Sequence, residues 1–128
     1  MKHWLIIFSL LLFAFCAGCG TKNKVDLPDH PIVILFENDV HGAVDGYAKL
    51  VSLREEQREW TPYVATVSSG DYVQGDVIGS LSKGESIIEL MNEVGYDVVT
   101  LGNHEFDYGM SQLFKLRDSL EATMVSAN

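Results

Sequence analysis

Three short apolar runs, at residues 32–37, 63–67 and 97–101, each stop at a polar loop, and the chain between them is long enough to hold a helix. Few folds accommodate that pattern. The first run, Ile-Val-Ile-Leu-Phe-Glu, is continuous rather than alternating, as in a strand covered on both faces. Residues 47–60 follow, with Ala48, Leu50, Val51, Leu53 and Trp60 among charges at roughly helical spacing, and Pro62 ends that helix. Residues 72–83, rich in Gly and Ser, read as a long loop with room for one helical turn. A second helix is expected at residues 85–94, with Ile87, Ile88, Leu90, Met91 and Val94 on its buried side and Gly95 as its stop. Residues 110–120 read as a third helix, and a fourth strand begins within residues 123–127. The order β-α-β-α-β-α-β predicts an α/β fold with a mainly parallel sheet and right-handed connections.

In such a sheet the loops after Glu37, Val67 and Leu101 emerge along one edge, which is where α/β folds place chemistry. The first loop supplies Asp39 and His41, which in an extended segment face the same side. The second supplies Asp71 behind Gly70, and the third supplies Asn103, His104, Glu105 and Asp107. Mixed carboxylate, imidazole and amide donors suit zinc, manganese or iron, and a carboxylate placed between two cations can bridge them. Two such ions roughly 3.5–4 Å apart activate a water and clamp a phosphoryl group for in-line displacement. Hydrolysis of a phosphate ester is the natural use of this set.

The three loops, Asn-Asp-Val-His-Gly at 38–42, Gly-Asp-Tyr-Val-Gln-Gly at 70–75 and Gly-Asn-His-Glu-Phe-Asp at 102–107, resemble the motifs of the calcineurin-like metallophosphoesterases, and most of all their 5'-nucleotidase branch. Residues 46–50 and 126–128 are also similar to that branch. The resemblance spans residues 32–128 and implies the first half of a metallophosphoesterase α/β sandwich. It implies two divalent metal ions, with Asp39 and His41 on the first, Asp71 bridging, and Asn103 on the second. His104 then matches the metal-free catalytic histidine and Asp107 the carboxylate that pairs with it. Nucleotides or other phosphate esters are the implied substrates. Glu105 has two readings, a structural hydrogen bond or a direct role; Phe106 reads as packing, and Gln74 and Asp76 as loop residues. Gly70 and Gly102 are expected to leave room for backbone near the ions. The family's later His and Gly-His-x-His motif have no counterpart after His104. A truncated domain is therefore expected at residues 32–128, completed by a missing or separate C-terminal half. The alternative is a non-catalytic lipoprotein fragment.

Residues 1–18 read as an export signal: Lys2 and His3, an apolar run at 4–15, then small residues. The run is short for a membrane span. Ala17-Gly18-Cys19 resembles a bacterial lipobox, with Cys16 standing where Leu is usual, so Cys19 is the expected lipidation site. Residues 19–31 then form a lipidated N-terminus and linker. An uncleaved N-terminal anchor is the other reading, and either one places the folded part outside the cytoplasm. The expectation is an exported, membrane-anchored bacterial lipoprotein, periplasmic or on the cell surface. With Cys19 lipidated, no cysteine remains for a disulfide. The formal charge is −9, and losing Lys2 with the signal makes it −10. No Lys/Arg cluster offsets this acidity, which argues against a nucleic-acid polymer as partner. Replacing Cys19 by Ser is expected to move the exported protein from the membrane to the soluble fraction, read by fractionation and fatty-acid labelling.

Overall fold

The structure, a computed structural model, describes residues 29–127. The expected signal, Cys19 and Asn128 lie outside the described residues. Four strands, β1 (Val33–Glu37), β2 (Val64–Ser68), β3 (Val98–Val99) and β4 (Thr123–Met124), form one sheet in chain order, and every pairing is parallel. β1 and β2 pair along their full length, from Val33 opposite Val64 to Glu37 opposite Ser68. The third apolar run gives only a two-residue ladder, but Asp97 N–H to Thr66 O (2.9 Å) and Thr100 N–H to Ser68 O (3.0 Å) extend the pairing on both sides. The fold is the expected α/β arrangement, with the loops after β1, β2 and β3 on one edge.

The crossover from β1 to β2 is α1 (Asp45–Trp60), which starts two residues earlier than the periodicity suggested. Its inward stripe is Tyr47, Leu50, Val51 and Arg54, spaced i, i+3, i+4 and i+7. Ala48, Leu53 and Trp60, the other apolar residues of that spacing, are exposed. Arg54 takes the fourth inward position because its guanidinium is paired: Nη1 donates to Val94 O (2.7 Å) and Nη2 to Asp97 Oδ2 (3.3 Å). The same Asp97 oxygen accepts the Thr66 N–H at 2.7 Å, so one carboxylate ties α1 to β2 and to the start of β3.

Residues 72–83 are not a plain loop. Tyr72 and Val73 are fully buried, and a six-residue helix, α2 (Val77–Ser82), follows, with the Asp76 carboxylate accepting the Val77 N–H. Its buried Gly79 lets this helix lie against Val73: a Cβ there would come 2.8 Å from the Val73 carbonyl oxygen. The helix α3 (Glu85–Val94) matches expectation. Ile87, Ile88, Met91 and Val94 are buried, and Gly95 closes it with φ of 78°. Glycine is favoured at that left-handed position, and a Cβ there would also fall 2.0 Å from Arg54 Nη1 and push the guanidinium aside. The last crossover helix is α4 (Met110–Ser119), which buries Leu113 and Leu116.

All three long crossovers pack on one side of the sheet, around a core that includes Tyr47, Tyr72, Met91, Tyr96, Val99 and Leu116. Strand alternation sends Leu35 into that core and Ile34 and Phe36 to the other face, where they are 63% and 65% exposed. The continuous apolar run of β1 therefore has one covered face among the described residues. Met91, with no exposed surface, and Trp60, 74% exposed, separate core from surface. Met91→Ala is expected to cost about 2–5 kcal/mol in urea unfolding, and Trp60→Ala no more than about 0.5 kcal/mol.

Candidate metal centre

Past the strand ends, the first two loops stay joined by backbone hydrogen bonds. Ser69 N–H donates to Glu37 O (3.2 Å), Asp39 N–H to Gly70 O (3.2 Å), His41 N–H to Asp71 O (3.0 Å) and Asp76 N–H to His41 O (3.0 Å). The Ser69 hydroxyl also donates to the Asn38 side-chain oxygen. Both chains turn sharply while remaining paired. Asp39 (φ 64°), His41 (φ 47°) and Asp71 (φ 58°) all adopt the left-handed region, and the only other such non-glycine among the described residues is Lys83, at a helix end. Asp39 and His41 thus converge through a left-handed turn rather than along the extended segment the sequence suggested. Such conformations cost of order 1–3 kcal/mol each and persist where surrounding bonds over-determine them.

The turn brings one donor atom from each of Asp39, His41 and Asp71 within 4.8 Å of one another. Asp39 is exposed and the other two are half-buried, so the group opens to solvent. His41 Nε2 lies 3.0 Å from Asp39 Oδ1. Two carboxylates and an imidazole at this separation, held in strained backbone, fit a divalent cation.

The third loop closes against this group. A short 3₁₀ turn (His104–Phe106) follows Asn103, and the His104 N–H donates to Asp71 Oδ1 at 2.8 Å. The His104 ring meets the His41 ring edge-on, with centroids 4.9 Å apart. His104 Nδ1 pairs with Asp107 Oδ2 at 2.7 Å, as the three-residue spacing allows, and leaves Nε2 for other contacts. That hydrogen bond raises the imidazole above its ordinary pKa, against a smaller opposing desolvation, and the charges of Asp107, Asp71 and Glu105 add to the rise.

The family described as Calcineurin-like phosphoesterase matches residues 32–126, the whole of this sheet with its three loops. The chain belongs to that family. Among its relatives, a snake venom 5'-nucleotidase from Gloydius brevicauda is 34% identical over 115 residues, covering 77% of this chain and 19% of the relative. A probable 5'-nucleotidase from Treponema pallidum is 37% identical over 89 residues, covering 70% of this chain and 15% of the relative. The crystal structure of the calcineurin-like phosphoesterase YfkN from Bacillus subtilis superposes with a TM-score of 0.67 at 28% identity, over 79% of this chain and 38% of that one. The chain therefore spans about a fifth or less of the length of these curated relatives.

Within this calcineurin-like phosphoesterase domain, the structure brings Asp39, His41, Asp71, His104 and Asp107 to one edge. Asn103 is exposed beside His104, with no capping role for its side chain. Glu105 has the structural role that was one of its two readings: its carboxylate is 1% exposed and accepts only backbone N–H groups. The two loop glycines make room for the loops themselves. A Cβ on Gly70 would lie 2.2 Å from Gly102 N, and one on Gly102 would lie 2.2 Å from Asp71 Oδ1, so they let the second and third loops touch. Phe106, expected to pack, is 45% exposed at the rim of a shallow groove with Met110 and Phe114.

A separate groove of about 270 Å³ lies between β1 and α1, walled by Val40, Tyr47, Leu50, Leu53 and Tyr96, and none of the grouped donors lines it. Glu37 also borders it, with both carboxylate oxygens buried and outside hydrogen-bonding geometry. Burial raises this carboxyl above the usual carboxylate range, and the nearby Ser68 and Tyr96 hydroxyls offset part of the rise. In the phosphoesterase edge itself, Asp107→Asn is expected to lower the His104 pKa, read by NMR titration of the imidazole in the metal-free chain. An unchanged titration would mean that Asp107 does not hold the imidazolium.

Proposed function

We propose that the chain carries the metal-binding half of a phosphoester hydrolase of the 5'-nucleotidase type, acting on nucleotides or related phosphate esters. The observation that carries the reading is the Asp39, His41 and Asp71 group in left-handed backbone, with the His104–Asp107 pair against it. Asp39 and His41 would hold one ion, Asp71 would contribute to both, and Asn103 would be a ligand of the second. Zinc, manganese or iron suits this donor set. Divalent ions held there would supply Lewis-acid charge stabilisation for phosphoryl transfer to water.

The remaining roles belong to the protein. Asp107 holds His104 at Nδ1, so the ring presents Nε2–H toward charge developing on the phosphoryl group or the leaving oxygen. The Asp71 carboxylate accepts the His104 N–H at Oδ1, which orients that carboxylate against the third loop.

The reading includes a C-terminal half that adds further ligands, in the same polypeptide or as a separate chain. Its support is the small share of the relatives' length that this chain spans and the apolar β1 face left exposed by Ile32, Ile34 and Phe36. The same exposed face favours the second reading, a non-catalytic lipoprotein fragment, for the chain by itself. Lipidation at Cys19 would tether either form to a bacterial membrane outside the cytoplasm. No helix among the described residues is long and apolar enough to cross a membrane.

The test is hydrolysis of an aryl phosphate and of a nucleoside 5'-monophosphate with added manganese or zinc. The chain alone is expected to be inactive and the chain joined to a C-terminal half active, with loss on chelation. His104→Ala in the joined protein is expected to lower kcat by about 10²–10⁴-fold. An inactive joined protein, or a His104→Ala form with undiminished kcat, would refute the assignment.

A further inference from the structure

We infer that Glu105 is the positioning residue of this site: one buried carboxylate sets the spacing between the Asp71 loop and the loop that carries Asn103 and His104. The inference rests on the metal-site reading above. Glu105 Oε2 accepts the N–H of Asp71 (2.8 Å) and of Gly102 (2.6 Å), while Oε1 accepts those of Tyr72 (2.9 Å) and Val73 (3.4 Å). A single oxygen thus joins the two backbones at the place where Asp71 turns left-handed and Gly102 leaves room for its carboxylate.

The chemistry demands a carboxylate of this length. Four converging donors need an acceptor with no N–H of its own, and an ionised carboxylate has two such oxygens. A glutamine keeps the shape but turns an NH₂ toward one pair of amides, so donor faces donor in a site that excludes water. Aspartate is one methylene shorter and cannot span both loops from the same backbone position. Neither change alters the side chain of a proposed ligand or of the His104–Asp107 pair. The expected consequence is displacement of Asp71 relative to Asp39 and His41, and with it weaker ion binding, while the sheet and helices stay folded.

The experiment is calorimetric titration of the 128-residue chain with Mn²⁺, alongside Glu105→Gln, Glu105→Asp and Leu120→Ala. Leu120→Ala lies at the far end of α4 and controls for loss of stability alone. Glu105→Gln is expected to weaken Mn²⁺ binding about 10- to 100-fold, with Glu105→Asp also weakened and Leu120→Ala unchanged. Slow hydrogen exchange at the Asp71, Tyr72 and Gly102 amides is expected in the unaltered chain, which needs no folded variant. Wild-type Mn²⁺ affinity in Glu105→Gln, equal weakening in Leu120→Ala, or fast exchange at those amides would overturn the positioning role alone. An unaltered chain that shows slow exchange yet takes up no Mn²⁺ would instead overturn the metal-site reading, and the positioning role with it.

Discussion

Everything at the candidate site depends on parallel pairing of β1, β2 and β3 in chain order. Parallel strands joined by helical crossovers all end on the same edge, so residues 32 and 63 positions apart in sequence, Asp39 with Asp71 and His41 with His104, become neighbours without any loop having to travel. The register is set on the helix side of the sheet, where Leu35, Thr66 and Val99 are buried, and a slip of one residue would turn those side chains to the opposite face. The helices supply the other half of the constraint. Arg54 clamps α1 to the end of α3 and, through Asp97, to β2 and the start of β3.

The edge is costly to build. Three residues bearing carboxylate or imidazole groups occupy left-handed backbone, and two loops approach until glycine is the only residue that fits between them. Backbone hydrogen bonds between the first and second loops, and the Glu105 carboxylate between the second and third, offset that cost. The anchors lie just below the surface: Tyr72 and Val73 follow Asp71 directly into the core. The arrangement continues the backbone pairing of the sheet into its loops, and the left-handed residues are concentrated at the metal-capable group. The side of the sheet away from the helices is organised differently, with Ile32, Ile34 and Phe36 presented to solvent.

Much of this was legible from residue order. Apolar runs, Gly95 and Pro62 marked strands and helices to within a few residues, since propensity and periodicity act locally. Departures occurred where tertiary contacts outweighed local signals. Arg54 is buried with its Nη1 and Nη2 bonded to Val94 and Asp97, while Leu53 and Trp60 face outward because the stripe is set by Tyr47, Leu50 and Val51. The helix α2 was hidden by its glycine and serines, and Gly79 proves to be the contact that seats it on Val73.

By itself the sequence determined the α/β class, the order of the elements, and which loops carry metal-capable side chains. Those properties follow from side-chain chemistry and spacing along one chain. Only the tertiary structure decided how the loops meet: that Asp39 and His41 converge through a left-handed turn, that Gly70 and Gly102 make room for each other and for Asp71, and that Glu105 faces inward to four amides rather than outward. Such choices depend on which backbone donors lie unsatisfied across a gap of more than thirty residues, and no local pattern encodes where those donors will be.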